Sequence, residues 1–170
     1  PKAAGPHTVA ALCEALGSHE RAAGLAPGST RIVPLVSETP AAAIAIPAYA
    51  SPDAGSARLL GLTWGAEDLS VALGATRKRD AAGQWSDAFR MVRAQVLLAA
   101  AARGVAAIDT LHAEFRDAAG LARIAREAAA DGFAGMLAIH PDQVAVINAA
   151  FTPDPAELAR ARAILSLIHI

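Results

Sequence analysis

Polar side chains stand where short apolar runs stop: Lys2, Glu38, Glu67 with Asp68, Asp109 and His140. The stretch Leu59–Gly74 shows the pattern best. It opens as an apolar run from Leu59 to Trp64, breaks at Gly65 and presents Glu67 and Asp68. It then resumes at helical spacing with Leu69, Ala72 and Leu73, so a buried strand leads through a turn into a helix. Glu38 repeats the arrangement after Arg31–Val36. Glu38 and Asp68 suit a hard cation such as Mg²⁺, which takes one or two carboxylates plus substrate and water. The same acids serve equally well as caps of the helices that follow. Glu67 reads as a helix-start residue or as a ligand. No Cys/His spacing points to zinc.

Other groups keep two readings. Arg77-Lys78-Arg79 either meets a phosphate or carboxylate, or is a solvated loop. Asp109 is a ligand's neighbour, an orienting group or a cap. His140, before Pro141, is an acid, a hydrogen-bond donor or a structural residue. His7, His19, His112 and His169 have no partner visible in the sequence. Trp64, Trp85 and Cys13 read as packing.

The elements that must position these groups follow from periodicity and punctuation. His7–Leu16 has a helical period, and Gly24–Thr30 is a loop. Arg31–Val36 reads as a strand, although Pro34 argues against the middle of a ladder. Pro40 suits the first turn of a helix over Ala41–Tyr49. Ser51–Ser56 and Thr76–Ser86 read as loops, the second exposed. Asp87–Arg103 is a long helix with Val92, Val96, Ala99 and Ala100 on one face, closed by Gly104. Val105–Ile108 is a strand ending at Asp109, and Asp117–Ala130 a helix closed by Gly132. Phe133–Ile139 is a strand ending in His140-Pro141. Gln143–Ala150 is a helix-like turn, and Pro155–Leu165 is the last helix. Alternation of this kind predicts an α/β fold with right-handed βαβ units and a parallel sheet. All strand exits then share one edge, and neighbouring strands roughly 4.8 Å apart let two carboxylates hold one ion.

The 170 residues allow one domain with a sizeable core, and 54% hydrophobic against 18% charged residues excludes disorder. A net charge of −1 without long runs of one sign gives no electrostatic case for nucleic acid or an anionic membrane. The single cysteine excludes an internal disulfide and fits a reducing, cytoplasmic setting. No apolar run reaches the roughly 18 residues of a membrane span, and no signal peptide is visible. A start at Pro1-Lys2 and an end in LSLIHI lead us to expect a fragment, with Ser166–Ile170 an unmatched or non-native tail.

Several stretches together resemble the citrate lyase beta-subunit-like group of the HpcH/HpaI aldolase family. They are Ser37-Glu38-Thr39, WGAEDLSVALGA (Trp64–Ala75), AAAARGVAAIDTLH (Ala99–His112), the GF-x-G-x-x-x-IHP-x-Q stretch (Gly132–Gln143) and N-x-x-F-x-P (Asn148–Pro153). The resemblance runs from Pro1 to about Ile164. It implies part of a TIM (β/α)₈ barrel, from the end of the fourth strand through the eighth. It implies a Mg²⁺-dependent carbon–carbon lyase acting on a CoA thioester such as citryl-, malyl- or citramalyl-CoA, with a 2-oxo acid as the other half. Glu38 and Asp68 take the metal positions. Glu38, Gly65, Ala66 and Glu67 line the substrate, and Arg77, in the Arg77–Arg79 loop, is a CoA contact. The family's substrate-binding Arg and its C-terminal segment have no counterpart here, so the catalytic residue is not assigned. The full-length protein is expected to be a homo-oligomer. An aldolase on a free 2-oxo acid without CoA, and a non-catalytic remnant or binding subunit, are the alternatives.

Overall fold

Pro34 decides how the first strand-like segment pairs. A proline has no N–H to give to a ladder, and the segment Arg31–Val36 is accordingly held by two separate parallel bridges. In the computed structural model, which describes residues 1–51 and 57–168, these bridges join Ile32 to Leu59 and Leu35 to Thr63. Three steps on one chain thus face four on the other, a bulge beside the proline. The main chain bonds on both sides of it: Leu60 N–H donates to Ile32 C=O at 2.8 Å, and Thr63 N–H to Pro34 C=O at 3.1 Å.

The remaining strands pair regularly. β1 (Gly61–Thr63), β2 (Ala106–Asp109) and β3 (Gly135–Met136) form a parallel sheet in that order. Gly61 lies opposite Ala106, and Ile108 opposite Gly135. The approach at Gly61 is close, since a Cβ there would sit 2.6 Å from the Ala106 carbonyl oxygen. At the other side Ala3 N–H donates to Leu35 C=O at 3.1 Å, so the start of the chain runs beside the bulged segment. Because every pairing among these strands is parallel, the exits after Val36, Thr63, Asp109 and Met136 share one edge.

The helices are α1 (Pro6–Ala22), α2 (Pro40–Ala45) continued by a 3₁₀ turn over Ile46–Ala50, α3 (Ala66–Ala72), α4 (Asp87–Arg103), α5 (Ala118–Asp131), α6 (Pro141–Phe151) and α7 (Pro155–Ile168). Their ends follow the sequence. Thr39 caps α2 by accepting the Ala42 N–H at 3.2 Å, with Pro40 in the first turn. Gly104 and Gly132 end α4 and α5 with φ of 73° and 102°, a region that favours glycine. α4 buries Phe89, Val92, Val96, Ala99 and Ala100. It packs on the 3₁₀ turn, where Ile46 and Tyr49 are fully enclosed.

The α/β class, the parallel sheet and the common exit edge agree with expectation, whereas several bounds do not. The first helix runs on to Ala22 because nothing breaks it before Gly24. The expected six- and seven-residue strands shrink to the short ladders above. The Thr76–Ser86 loop is instead a pinned turn: Arg79 and Trp85 form an antiparallel bridge, and Ser86 N–H donates to Lys78 C=O at 2.9 Å. The expected loop after Ser51 lies outside the described residues, as do His169 and Ile170 of the tail; residues 166–168 continue α7.

Candidate metal and substrate site

Buried acids need a positive partner, and that requirement separates the acids of this chain. Glu20, Glu38 and Asp109 are the buried acids among the described residues. Glu20 holds Arg58 through both oxygens, at 2.6 and 2.7 Å. Asp109 binds Arg93 at 2.8 Å through one oxygen, and the other accepts the Trp64 indole N–H at 2.7 Å and the Thr110 N–H at 2.8 Å. Glu38 differs. It is 8% exposed, and its only partner among the described residues is the Lys2 main-chain N–H. No cationic side chain among the described residues reaches it.

Glu38 sits at the junction of two exits. Its Cγ lies 3.5 Å from the position a Cβ on Gly65 would take, and Leu35 lies closer, at 3.0 Å. Gly65 is the residue before α3, so this contact brings Glu38 against the turn that carries Asp68 in the first turn of that helix. Asp68 is exposed, with no side-chain partner among the described residues. Two oxygen donors on adjacent exits, one of them buried without a cation, match what a Mg²⁺ ion requires of a protein, because water and substrate fill its other positions. No group of three or more His, Cys, Asp or Glu side chains is arranged for a metal among the described residues.

The other expected residues separate into engaged and free. Gly65 N–H is taken by the Ser37 hydroxyl at 3.0 Å and cannot serve a ligand. The Ala66 and Glu67 N–H groups open α3 and have no acceptor among the described residues. The Glu67 carboxylate pairs with Lys78, anchoring the pinned turn to α3. Arg79 lies 3.5 Å above the Trp85 ring and donates to Gly83 C=O at 2.8 Å, so it holds the turn together. Arg77 is exposed and unpaired among the described residues. Asp109 proves to be an anchor for Trp64 and Arg93. His140 is a helix cap: its Nδ1 accepts the Asp142 N–H at 3.2 Å, and its ring stacks on Phe115 at 4.8 Å.

Ser37 and Gln143 receive no role from the sequence, yet both are fully enclosed. The Gln143 amide spans two exits, donating to His112 C=O at 2.9 Å and accepting the Ile139 N–H at 2.8 Å. Their signal was a polar residue beside a strand end, which composition cannot distinguish from a surface position.

The family model for HpcH/HpaI aldolase/citrate lyase matches residues 1–141. The chain belongs to this family. The HpcH/HpaI chain is 44% identical over 107 residues to a citrate lyase subunit beta-like protein of Mycobacterium tuberculosis, a match covering 63% of this chain and 39% of the relative. It is 38% identical over 105 residues to the mitochondrial citramalyl-CoA lyase of Mus musculus, covering 62% of this chain and 30% of that protein. Its fold superposes, with a TM-score of 0.75 and 35% identity, on protein CitE of M. tuberculosis solved with magnesium, acetoacetate and coenzyme A. That superposition covers 98% of this chain and 55% of the solved one. The chain therefore spans well under two thirds of the length of the relatives it matches.

Proposed function

We propose that this chain carries the metal-binding portion of a carbon–carbon lyase acting on a CoA thioester such as citryl-, malyl- or citramalyl-CoA. The observation that carries the reading is Glu38, a buried carboxylate without a cation among the described residues, packed against the turn that bears Asp68. The names of its relatives, a citramalyl-CoA lyase among them, supply the substrate class. The sheet and helices are read as the end of strand four through strand eight of a (β/α)₈ barrel, whose ligands gather at the strand exits.

Glu38 and Asp68 would hold Mg²⁺. Once bound, the ion would supply Lewis acidity at the carbonyl oxygen of the 2-oxo acid half. The chain's own groups orient the substrate around it. The Ala66 and Glu67 N–H groups face a bound carboxylate, and Gly65 keeps the turn low enough for that approach. Arg77, the cation of its loop without a partner among the described residues, meets a phosphate of CoA. Lys78 and Arg79 hold that loop in place. The complete protein is proposed to be a homo-oligomer.

Calorimetric titration with Mg²⁺ tests the reading. Glu38→Gln and Asp68→Asn should each weaken binding by about 10-fold or more, as expected for loss of a charged oxygen ligand. Unchanged affinity in both would overturn it. CoA should protect the loop around Arg77 from trypsin, and Arg77→Ala should remove the protection.

A further inference from the structure

The two exits that carry Glu38 and Asp68 are joined by a side chain where the main-chain ladder ends. The ladder between them runs through Thr63 N–H to Pro34 C=O and Val36 N–H to Thr63 C=O. A parallel ladder is evenly spaced, so its next rungs would engage the N–H and C=O of Gly65. Both of these groups go instead to Ser37. Its hydroxyl accepts the Gly65 N–H at 3.0 Å and lies 3.4 Å from the Gly65 carbonyl oxygen, to which it donates. Ser37 is fully buried, so water cannot replace it in either role.

The consequence concerns the residues on either side of this contact. Glu38 follows Ser37 directly, and Gly65 is the residue from which α3 and Asp68 start. With the serine on Gly65, the two chains stay in register for one step beyond the ladder, while the Glu38 main chain is released from it. Glu38 and Asp68 therefore belong to one rigid junction rather than to two independent loops.

We propose that Ser37 is a positioning residue that fixes the separation of the Glu38 and Asp68 carboxylates and so sets the affinity of this chain for Mg²⁺. The proposal rests on the metal reading given above. It predicts that loss of the hydroxyl weakens the metal without removing a ligand. Groups that orient metal ligands typically change affinity by about 10- to 100-fold.

Titration of the 170-residue chain with Mg²⁺ alone distinguishes the outcomes, with Glu38→Gln as control. Ser37→Ala should raise Kd by about 10-fold or more, with unchanged stoichiometry, and Ser37→Thr, which keeps the hydroxyl, should restore it. A Kd for Ser37→Ala within about twofold of the parent, while Glu38→Gln weakens binding by about 10-fold or more, overturns the proposal and leaves the metal reading intact. Full binding by Glu38→Gln overturns both. A fall in urea midpoint for Ser37→Ala with Kd unchanged marks a merely structural serine, and also overturns the proposal. If Ser37→Ala does not fold, Ser37→Cys replaces it: the weakly bonding thiol should raise Kd severalfold, and a Kd equal to the parent's overturns the proposal.

Discussion

Individual side chains in this chain divide by whether burial has been compensated. Glu38 has no cationic side-chain partner among the described residues, and burying a charge without one costs stability. Glu38→Gln should therefore raise the urea midpoint in the presence of a chelator and lower it, relative to the parent, in saturating Mg²⁺. Glu20 is the opposite case. The Arg58 guanidinium, then the Thr30 and Gly28 N–H groups, hold its carboxyl far below the ordinary 4.5. Its folded form binds protons less readily than the unfolded chain, so its contribution is complete above pH 4.5 and declines as the pH falls from there. Urea midpoints at neutral and acid pH should differ less in Glu20→Gln than in the parent. Tyr49, the single tyrosine, is enclosed with its hydroxyl unpartnered among the described residues, and burial pushes it up from 10.0 to about 12. The neutral phenol is favoured in the fold, so stability falls as pH rises from 10.0 through about 12. The near-ultraviolet tyrosinate absorbance should show this one late titration, and Tyr49→Phe should remove it.

At the scale of elements, glycine and proline wrote the most legible instructions. The ends of α4 and α5 could be read because Gly104 and Gly132 adopt backbone angles that other residues resist. The strand lengths could not. An apolar run marks burial, whereas a ladder also needs matched donors, and Pro34 withholds one. The pinned turn is not legible in its polar composition, because its groups are satisfied by main-chain bonds and by contacts at a distance along the chain: Lys78 with Glu67 of α3, and Arg79 with the Trp85 ring and the Gly83 carbonyl. Gly61 carries the clearest prediction at this level. A methyl group there would meet the Ala106 carbonyl at 2.6 Å. Gly61→Ala should force β1 from β2 and cost about 1–3 kcal/mol, read from denaturant unfolding.

For the whole molecule, the parallel order decides which distant residues become neighbours. Glu38, Asp68, Asp109 and His140 were all legible as strand exits, and the structure places them along one edge. What the sequence could not assign is which of them is already spent. Asp109 is occupied by Arg93 from α4 and Trp64 from β1's exit, and neither partner is within reach along the chain. Occupancy is a tertiary property, so Glu38 stands out only after folding. Binding of Mg²⁺ at about 100 times the parent's Kd should add about 2.7 kcal/mol to the stability of the parent chain, and no more than about 1.4 kcal/mol to Glu38→Gln at the same concentration, in paired unfolding curves.

Both tryptophans of the chain occupy one cluster. Trp64 meets Trp85 edge-on at 5.1 Å, Trp85 stacks on Phe89 at 6.0 Å, and the Trp64 indole is tied to the Asp109 carboxylate. The tryptophan fluorescence of this protein thus comes from one cluster, in which Trp64 stands one residue before Gly65 and Trp85 lies in the turn that carries Arg77. An emission change on adding an acid or a thioester would report the seating of the turn that carries Arg77, without any attached dye.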